Sequence, residues 1–591
     1  MNYKIIVPLI ILFSYVNLFS QNAGDQLFDD TYLHQITIDS DDFDNKDDFV
    51  LELGNFNYIL VSLTIDGQVL DSVGIRKKGG ISSTDQDKPP IKVDINKFVS
   101  GQKYDGLKKF NLQNNFSDDI MQRDKIAYNL YRRAGVVGPR ATFAEIFFKN
   151  ESLGIYTMSD QIDRTFLKEN FASDEGSLIK GAFNSVDLKY GNLSDYTNYI
   201  DNATATNYGD YVNLETYLKL LAIDVLIEDW DSYGYERHNY YVYFEPKSER
   251  INFITWDHNF AFDVFNSYAN RLYPKADIDI INHPPIKAMY HSTMCNLLQY
   301  LVTDSYIDSF LLHNETLLNT NTSSITIPSS ALLNQYLKDS RQWLLNELAN
   351  EGVTCEDLSF DYDQTDIVIN EFVAKSDSIG GVQEPNGGYP DWIELYNNTN
   401  TDIILDKKFY LSDDKDFPKK WNFSNEVTLP ANDYLMVWAD RDIHQSGIHT
   451  NFKIEKNGGE LLLTYEDLTE IQHISYDEQT LNFSYSRIPN GTGNFIIQTS
   501  TFNLNNETMI TTDDISPREI NIFPNPATDF FWIKSKNTIN EIELYNAIGQ
   551  SILKIETPDF PIDLSGLKIG QYFIKIKTNS ENVIVKALIK Q

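Results

Sequence analysis

Asp231, Asn239 and Asp257 carry the side chains from which a reaction could most readily be built. Asp229-Trp230-Asp231 closes a long segment of helical spacing. Asn239 opens the next extended run, and Trp256-Asp257-His258-Asn259 closes the one after. A carboxylate, an amide and a second carboxylate on neighbouring segments suit metal-assisted phosphoryl transfer. One Asp orients an attacking hydroxyl, while the Asn and the other Asp give hard oxygens to a cation that bridges phosphates. Taken singly, each position is as well explained by a helix cap or a turn. The ordered set is what points to chemistry.

A second group lies upstream. Arg76-Lys77-Lys78 runs into Gly79-Gly80-Ile81-Ser82-Ser83, and Lys88-Pro89-Pro90-Ile91-Lys92 follows. Paired glycines let backbone amides approach a phosphate, and Arg76, Lys78, Ser82, Ser83 and Lys92 would add charge and hydroxyl donors. Alone, such a stretch reads as an exposed basic turn.

These residues need elements to hold them. Strands are expected over 58–64, 69–76, 90–94 and 107–112, then a helix over 119–134 that Gly135 can cap. A hairpin of 142–148 and 154–159 turns at Asn150-Glu151. A helix over 214–229 and strands over 240–244 and 251–255 complete the set. A strand-rich half before a helix-rich half is an α+β order.

The whole chain has 591 residues, 49 basic and 85 acidic side chains, and a formal charge of −36 at a pI near 4.5. General binding to nucleic acid or to an anionic membrane is excluded, because both need a basic surface. With 42% hydrophobic and 13% aromatic residues the chain is no disordered acidic tail, and its length calls for several domains. The two cysteines, Cys295 and Cys355, are too few for a disulfide-stapled scaffold, and the sequence leaves their pairing open. Lys4 before an apolar run to about Phe19, with Ser20-Gln21 after it, reads as a signal peptide over 1–20. No later segment is apolar enough to span a bilayer.

Residues 361–506 show alternating apolar runs between turns, an all-β pattern with 10 basic against 24 acidic side chains. Asp391 to Glu394 admits a Ca²⁺ site there, although solvated strand edges or turn caps explain the acids more simply. The run from Asp39 to Asp48 lacks the glycine and terminal Glu of a calcium loop and reads as a solvated connection. Residues 507–515 form a linker. Residues 516–591, with 9 basic and 8 acidic groups, read as a small β-sandwich.

Three resemblances rest on these stretches. Val73-Gly74-Ile75-Arg76, Leu107-Lys108-Lys109-Phe110-Asn111-Leu112, Asp119 with Arg123, Leu178-Ile179-Lys180-Gly181 and the Asp231, Asn239-Tyr240-Tyr241, Trp256-Asp257 set make residues 28–350 resemble the CotH family of secreted atypical kinases. That resemblance implies ATP with Mg²⁺ or Mn²⁺, Asp231 as the catalytic residue, and Asn239 and Asp257 as metal ligands. It also implies Lys92 as a phosphate contact and Lys180 as a further nucleotide contact. Two positions depart from the family pattern: Asn259 stands where Asp is frequent, and Asp160 where Glu is. Ile369-Asn370-Glu371-Phe372, Asp391-Trp392-Ile393-Glu394-Leu395 and Ser484-Tyr485-Ser486-Arg487 are similar to the lamin-tail domain, an immunoglobulin-like fold, which implies an accessory or binding role. Ile522-Phe523-Pro524-Asn525-Pro526-Ala527 and Leu544-Tyr545-Asn546-Ala547-Ile548-Gly549 resemble the type IX secretion sorting domain of the Bacteroidetes. It implies contact with that secretion machinery and delivery to the outer surface of a Gram-negative bacterium.

The expected architecture is multidomain: an α+β kinase-like CotH domain, an all-β immunoglobulin-like lamin-tail domain, and a small C-terminal β-sandwich. The activity implied is transfer of the ATP γ-phosphoryl group to Ser/Thr hydroxyls of exported protein substrates. A non-catalytic surface scaffold or adhesin with a degenerate kinase-like domain is the alternative. A metal-dependent hydrolase is a third reading, but it leaves Lys92 without a role.

Overall fold

A computed structural model describes residues 22–509 except 80–84, 86, 183–184, 263–270 and 359, and residues 520–590 except 524, 526, 536–537, 547–550 and 579–582. The expected leader, most of the linker, and both Ser82 and Ser83 lie outside the described residues.

Seven strands open the first domain: β1 (His34–Asp39), β2 (Ile59–Ile65), β3 (Gln68–Lys77), β4 (Ile91–Asp94), β5 (Lys109–Gln113), β6 (Ala141–Phe148) and β7 (Glu151–Asp160). They close into a barrel in the order β1-β2-β3-β4-β5-β7-β6, sealed by a parallel β1–β6 pair. Alternation along the strands decides what faces where. Ile75, Ile91, Val93, Phe110 and Leu112 fill the barrel, while Arg76 and Lys92 stand between them on the other face. Each buried aliphatic side chain of this kind contributes about 1.5–3 kcal/mol, so register is strongly fixed by the interior set.

A second sheet, in the order β11-β10-β8-β9, is built from β8 (Ser177–Ala182), β9 (Ser185–Tyr190), β10 (Tyr240–Glu245) and β11 (Arg250–Thr255). It packs with the helices Arg123–Ala134, Leu214–Leu226, Pro284–Asn296 and Ala331–Asn350 around a separate core containing Leu130, Tyr131, Leu221, Tyr290 and Leu344. The α+β order expected from sequence is therefore realised as two cores with a seam between them.

Two helices are shorter than their apolar spacing predicts. The first begins at Arg123 rather than 119, because Ser117 and Met121 have φ of 61° and 60°, which a right-handed helix cannot absorb. The buried Asp118, rather than exposed Asp119, accepts the Arg123 backbone N–H at 2.8 Å. Gly135 ends this helix at φ 88°, as the sequence suggested. The second helix stops at Leu226, with Glu228 at φ 46°, so Asp229 to Asp231 lie in the loop beyond it and not in its last turn. The acidic run 39–48 is solvated as expected at Asp47 and Asp48, but its far end is not a plain connection: Asn45 caps a helix over Lys46–Leu53 whose first turn holds both exposed acids.

Cys295 and Cys355 form a disulfide with Cα atoms 5.4 Å apart, tying the end of one helix to the segment after Ala331–Asn350. The all-β region from Ile367 onward is a sandwich. Its larger sheet contains Ile367–Val373, Asp391–Asn397, Tyr434–Ala439, Phe483–Ile488 and Asn494–Thr499, facing a four-stranded sheet that contains Gly458–Tyr465 and Glu470–Asp477. Asn506 is buried and donates to the carbonyls of Asn370 and Arg487, so the sandwich extends to this residue. Residues 520–590 form two further small sheets around a core of their own. The sandwich docks on the first domain through Arg132, whose guanidinium lies 2.6 Å from Asp414, and through Lys247, which lies 2.9 Å from Asp442.

Candidate active site

The loop and strand ends of the second sheet bring the three oxygen-bearing residues together. Asn239, immediately before β10, donates from Nδ2 both to Asp231 Oδ2 at 2.9 Å and to the backbone carbonyl of Asp257 at 3.1 Å. Its two amide protons are thereby spent, which leaves Oδ1 as the acceptor face. Asp231 is buried and accepts a second contact from His238 Nδ1 at 2.9 Å. Asp257 is half-buried at φ 62°; its backbone N–H donates to Tyr128 Oη, and its carboxylate has no hydrogen-bond or ion-pair partner among the described residues. Gly181, opposite Tyr240, keeps this strand pair close: a Cβ there would fall 2.0 Å from the Tyr240 ring.

His258 fixes the constellation from beneath. The imidazole is buried, with Nδ1 2.5 Å from Asp229 and Nε2 against Thr255 Oγ1, and it stacks on Tyr131 at 4.9 Å. Its backbone N–H donates to Asp124 at 2.6 Å. Burial alone would lower the pKa of His258, but Asp229, Asp224 and Asp124 outweigh it and hold the group above its usual value. Burial and neighbouring Asp257 push Asp124 up to about 7. His258 thus acts in packing, and through Asp229 it sets the loop that carries Asp231.

Beside this cluster lies a cavity of about 440 Å³ lined by Arg76, Lys78, Lys92, Lys109, Lys180 and Lys189, with Asp163 as its single carboxylate. Its cations come from separate elements. Arg76, Lys92 and Asn111 are cross-strand partners on β3, β4 and β5. Lys78 continues beyond β3 and donates to Gln113 Oε1 at 2.7 Å; Lys180 sits on β8 opposite Tyr241. Trp256 forms a wall, with Lys78 4.9 Å and Lys180 5.8 Å from its ring centre. Burial, reinforced by Lys109 and Arg76, pushes Lys92 down to about 8. Burial also pushes Lys78 down to about 8, with Asp257 opposing the shift. The Lys180 pKa is lowered by burial, again against Asp257. Lys109 pairs with Asp94 at 3.4 Å and Lys189 with Asp187, whereas Arg76, Lys78, Lys92 and Lys180 have no ion-pair partner among the described residues; four such cations in one hollow suit an anion with several charges.

Four of the six cofactor residues expected from sequence, Arg76, Lys78, Lys92 and Lys180, meet in this cavity; Ser82 and Ser83 lie outside the described residues. Lys109, Lys189, Asp163 and His238 join the site without a site role expected of them from sequence. Lys109 was legible as a basic residue in an expected strand, whereas His238 had no signal beyond closeness in sequence to Asn239. The two departures have visible partners: Asn259 donates to the Phe116 carbonyl at 2.9 Å, and Asp160 accepts from Arg140 Nε at 3.0 Å and so is committed to an arginine at the barrel rim. In the sandwich, Asp391 and Glu394 are three positions apart on one strand and so leave on opposite faces. Glu394 is buried beside Glu371 and Asn370, on the face away from Asp391.

Comparison with known proteins finds three matches along the chain. Residues 75–323 match the family described as CotH kinase protein, residues 361–478 the Lamin Tail Domain, and residues 521–591 the Secretion system C-terminal sorting domain. The protein is thus a multidomain, mostly β chain, with a segment similar to CotH proteins followed by one similar to the immunoglobulin-like lamin-tail domain. Its sorting domain marks it as secreted or displayed at the cell surface and implies interaction with the secretion machinery. Among the described residues no helix is long and apolar enough to cross a membrane. A curated relative, Invasin CotH3 of Rhizopus delemar, is 22% identical over 275 residues, which cover 40% of this chain. The match spans 45% of that relative's length. A solved structure of PorZ, a surface component of the type-IX secretion system of Porphyromonas gingivalis, is 10% identical over 36% of this chain and 38% of that one. Its TM-score of 0.11 carries no argument about fold.

Proposed function

We propose that the first domain transfers the γ-phosphoryl group of ATP to a Ser or Thr hydroxyl of an exported protein, with Mg²⁺ or Mn²⁺ as cofactor. The observation that carries this reading is the placement of Asp231, Asn239 and Asp257 beside a cavity lined by six cations. The donor set fits a hard divalent cation: the unpaired Asp257 carboxylate and Asn239 Oδ1 are the oxygens that would hold it. Such a cation would neutralise charge on the phosphates. Arg76, Lys78, Lys92 and Lys180 orient and balance the polyphosphate. Asp231, held by His238 and Asn239, takes the proton of the acceptor hydroxyl as its oxygen bonds to phosphorus and ADP departs. Trp256 and Tyr241 shield the lysines from water on one side.

A second reading, a non-catalytic surface scaffold, draws on Asn259, whose amide is committed to Phe116, and on a relative named an invasin. Labelled-ATP autophosphorylation with manganese, comparing the wild-type full chain with Asp231→Ala, separates the two. Incorporation by wild type alone supports transfer. No incorporation, together with no shift in melting temperature on adding Mg-ATP, leaves the scaffold. Label retained in Asp231→Ala removes that residue from the base role.

A further inference from the structure

Away from the cation-lined cavity, one cluster in the sandwich has the composition of a metal centre. Glu384, Asp440 and His449 each offer a ligand atom, and the three atoms lie within 4.8 Å of one another. They come from two loops: Glu384 from the segment between Ile367–Val373 and Asp391–Asn397, and Asp440 and His449 from the segment after Tyr434–Ala439. His449 is 4% exposed; its Nε2 lies 3.4 Å from the Ser446 carbonyl, which orients the ring, and its Nδ1 faces the two Asp440 carboxylate oxygens at 3.1 and 3.0 Å, so an ion taken up there replaces the proton that Nδ1 and Asp440 share. Trp438 and His449 form a backbone bridge, and Trp438 packs with Trp392 and Phe502, which pins the loop to the sheet.

An independent observation concerns Glu384. The residue is only 7% exposed, yet its Oε2 is buried without a hydrogen-bond partner. No Lys or Arg forms an ion pair with Glu384 or Asp440 among the described residues; Lys453 bridges to Asp440 only through the backbone. A buried carboxylate oxygen left without a donor is costly unless a cation meets it.

We propose that Glu384, Asp440 and His449 bind one Zn²⁺. One imidazole and two carboxylates match a borderline first-row ion better than Ca²⁺ or Mg²⁺, which prefer all-oxygen shells. Three protein ligands leave a fourth position for water. The ion would join the 374–390 segment to the loop whose Asp442 carries Lys247 of the first domain, so it would also hold the contact between the two domains.

The test uses the untagged full chain, stripped with EDTA and titrated with ZnCl₂ by calorimetry in excess MgCl₂, with CoCl₂ absorption as a second readout. The expected result is one Zn²⁺ per chain, a higher melting temperature, and visible Co²⁺ bands of a four-coordinate nitrogen–oxygen site. Glu384→Gln and His449→Ala should each weaken Zn²⁺ binding at least about 100-fold, whereas Asp257→Ala, which disables the proposed transfer site, should bind as wild type. Absence of saturable binding by the wild-type chain overturns the proposal. So does binding undiminished in the Glu384→Gln, His449→Ala double variant, or binding lost in Asp257→Ala. If a variant fails to fold, the wild-type Co²⁺ spectrum decides: bands of a six-coordinate all-oxygen site overturn it.

Discussion

Two hollows in this molecule differ in the opposite sense from what their sizes suggest. The larger, about 750 Å³, lies between the first domain and the sandwich and is lined by acids including Asp25, Asp30, Asp414 and Asp416. Its acids are largely answered from within the protein: Asp30 by Lys125 and His313, Asp25 by Arg140, and Asp414 by Arg132. Burial works against the charge of Asp414, but Arg132, Lys420 and Arg140 hold its carboxyl down at about 2. The smaller hollow, about 440 Å³, collects six cations against one lining carboxylate, and neither Lys92 nor Lys180 has an ion-pair partner among the described residues. The wide cleft is therefore a charged joint, while in the narrow one Lys109 and Lys189 are paired with Asp94 and Asp187 and the other four cations are left without an ion-pair partner among the described residues. In a chain of net charge −36, location of the unanswered charge says more than its total.

The comparison breaks most visibly at the metal ligand. Asp257→Ala should lower phosphoryl transfer at least about 10³-fold, by loss of charge stabilisation at the phosphates. Asp30→Asn in the wide cleft should leave transfer within about twofold, and steady-state kinetics on both variants checks the contrast. The joint should respond in stability instead. Arg132→Ala strands Asp414 and should cost up to about 3 kcal/mol, read as a fall of several degrees in melting temperature with nucleotide affinity unchanged.

Smaller effects sharpen the picture. The Lys92→Ala, Lys180→Ala double variant should weaken Mg-nucleotide binding at least about 100-fold, since each of the two charge-assisted bonds is worth about 1.5–3 kcal/mol; Lys415→Ala in the wide cleft should not. Titration by calorimetry distinguishes them. The smallest effect is one of pH. Lys78 and Lys92, each lowered by burial to about 8, carry charge below that pH and lose it above. Nucleotide affinity should therefore fall, by about tenfold or less, as pH rises from 7 to 9, with proton uptake on binding near pH 8. Affinity that rises over this range would remove these lysines from the anion site.

Much of this was readable in advance because it is local. Alternating runs gave the strands around Ile75 and Val93, and Gly135 announced a helix end that the structure places at φ 88°. What escaped was non-local or conformational. Positive φ at Met121 and Glu228 shortened two helices, although neither residue type announces a left-handed backbone. Lys109 and Lys189 joined the cavity through strand pairing. His238 reached Asp231 through the short turn before β10. The calcium reading of Asp391 to Glu394 counted acids along the chain, and a strand's two-residue period sends them apart.

By itself the sequence determined the division into a CotH segment, a lamin-tail domain and a sorting domain, together with the residue types and order of Asp231, Asn239 and Asp257. Tertiary structure alone decided that Arg76, Lys92 and Asn111 share one face across three strands, that Lys180 approaches from a second sheet, and that Cys295 meets Cys355. The physical reason is range. Propensity and periodicity act over a few residues, while barrel closure and sheet register bring charges together across a hundred, where only packing of the apolar interior fixes their positions.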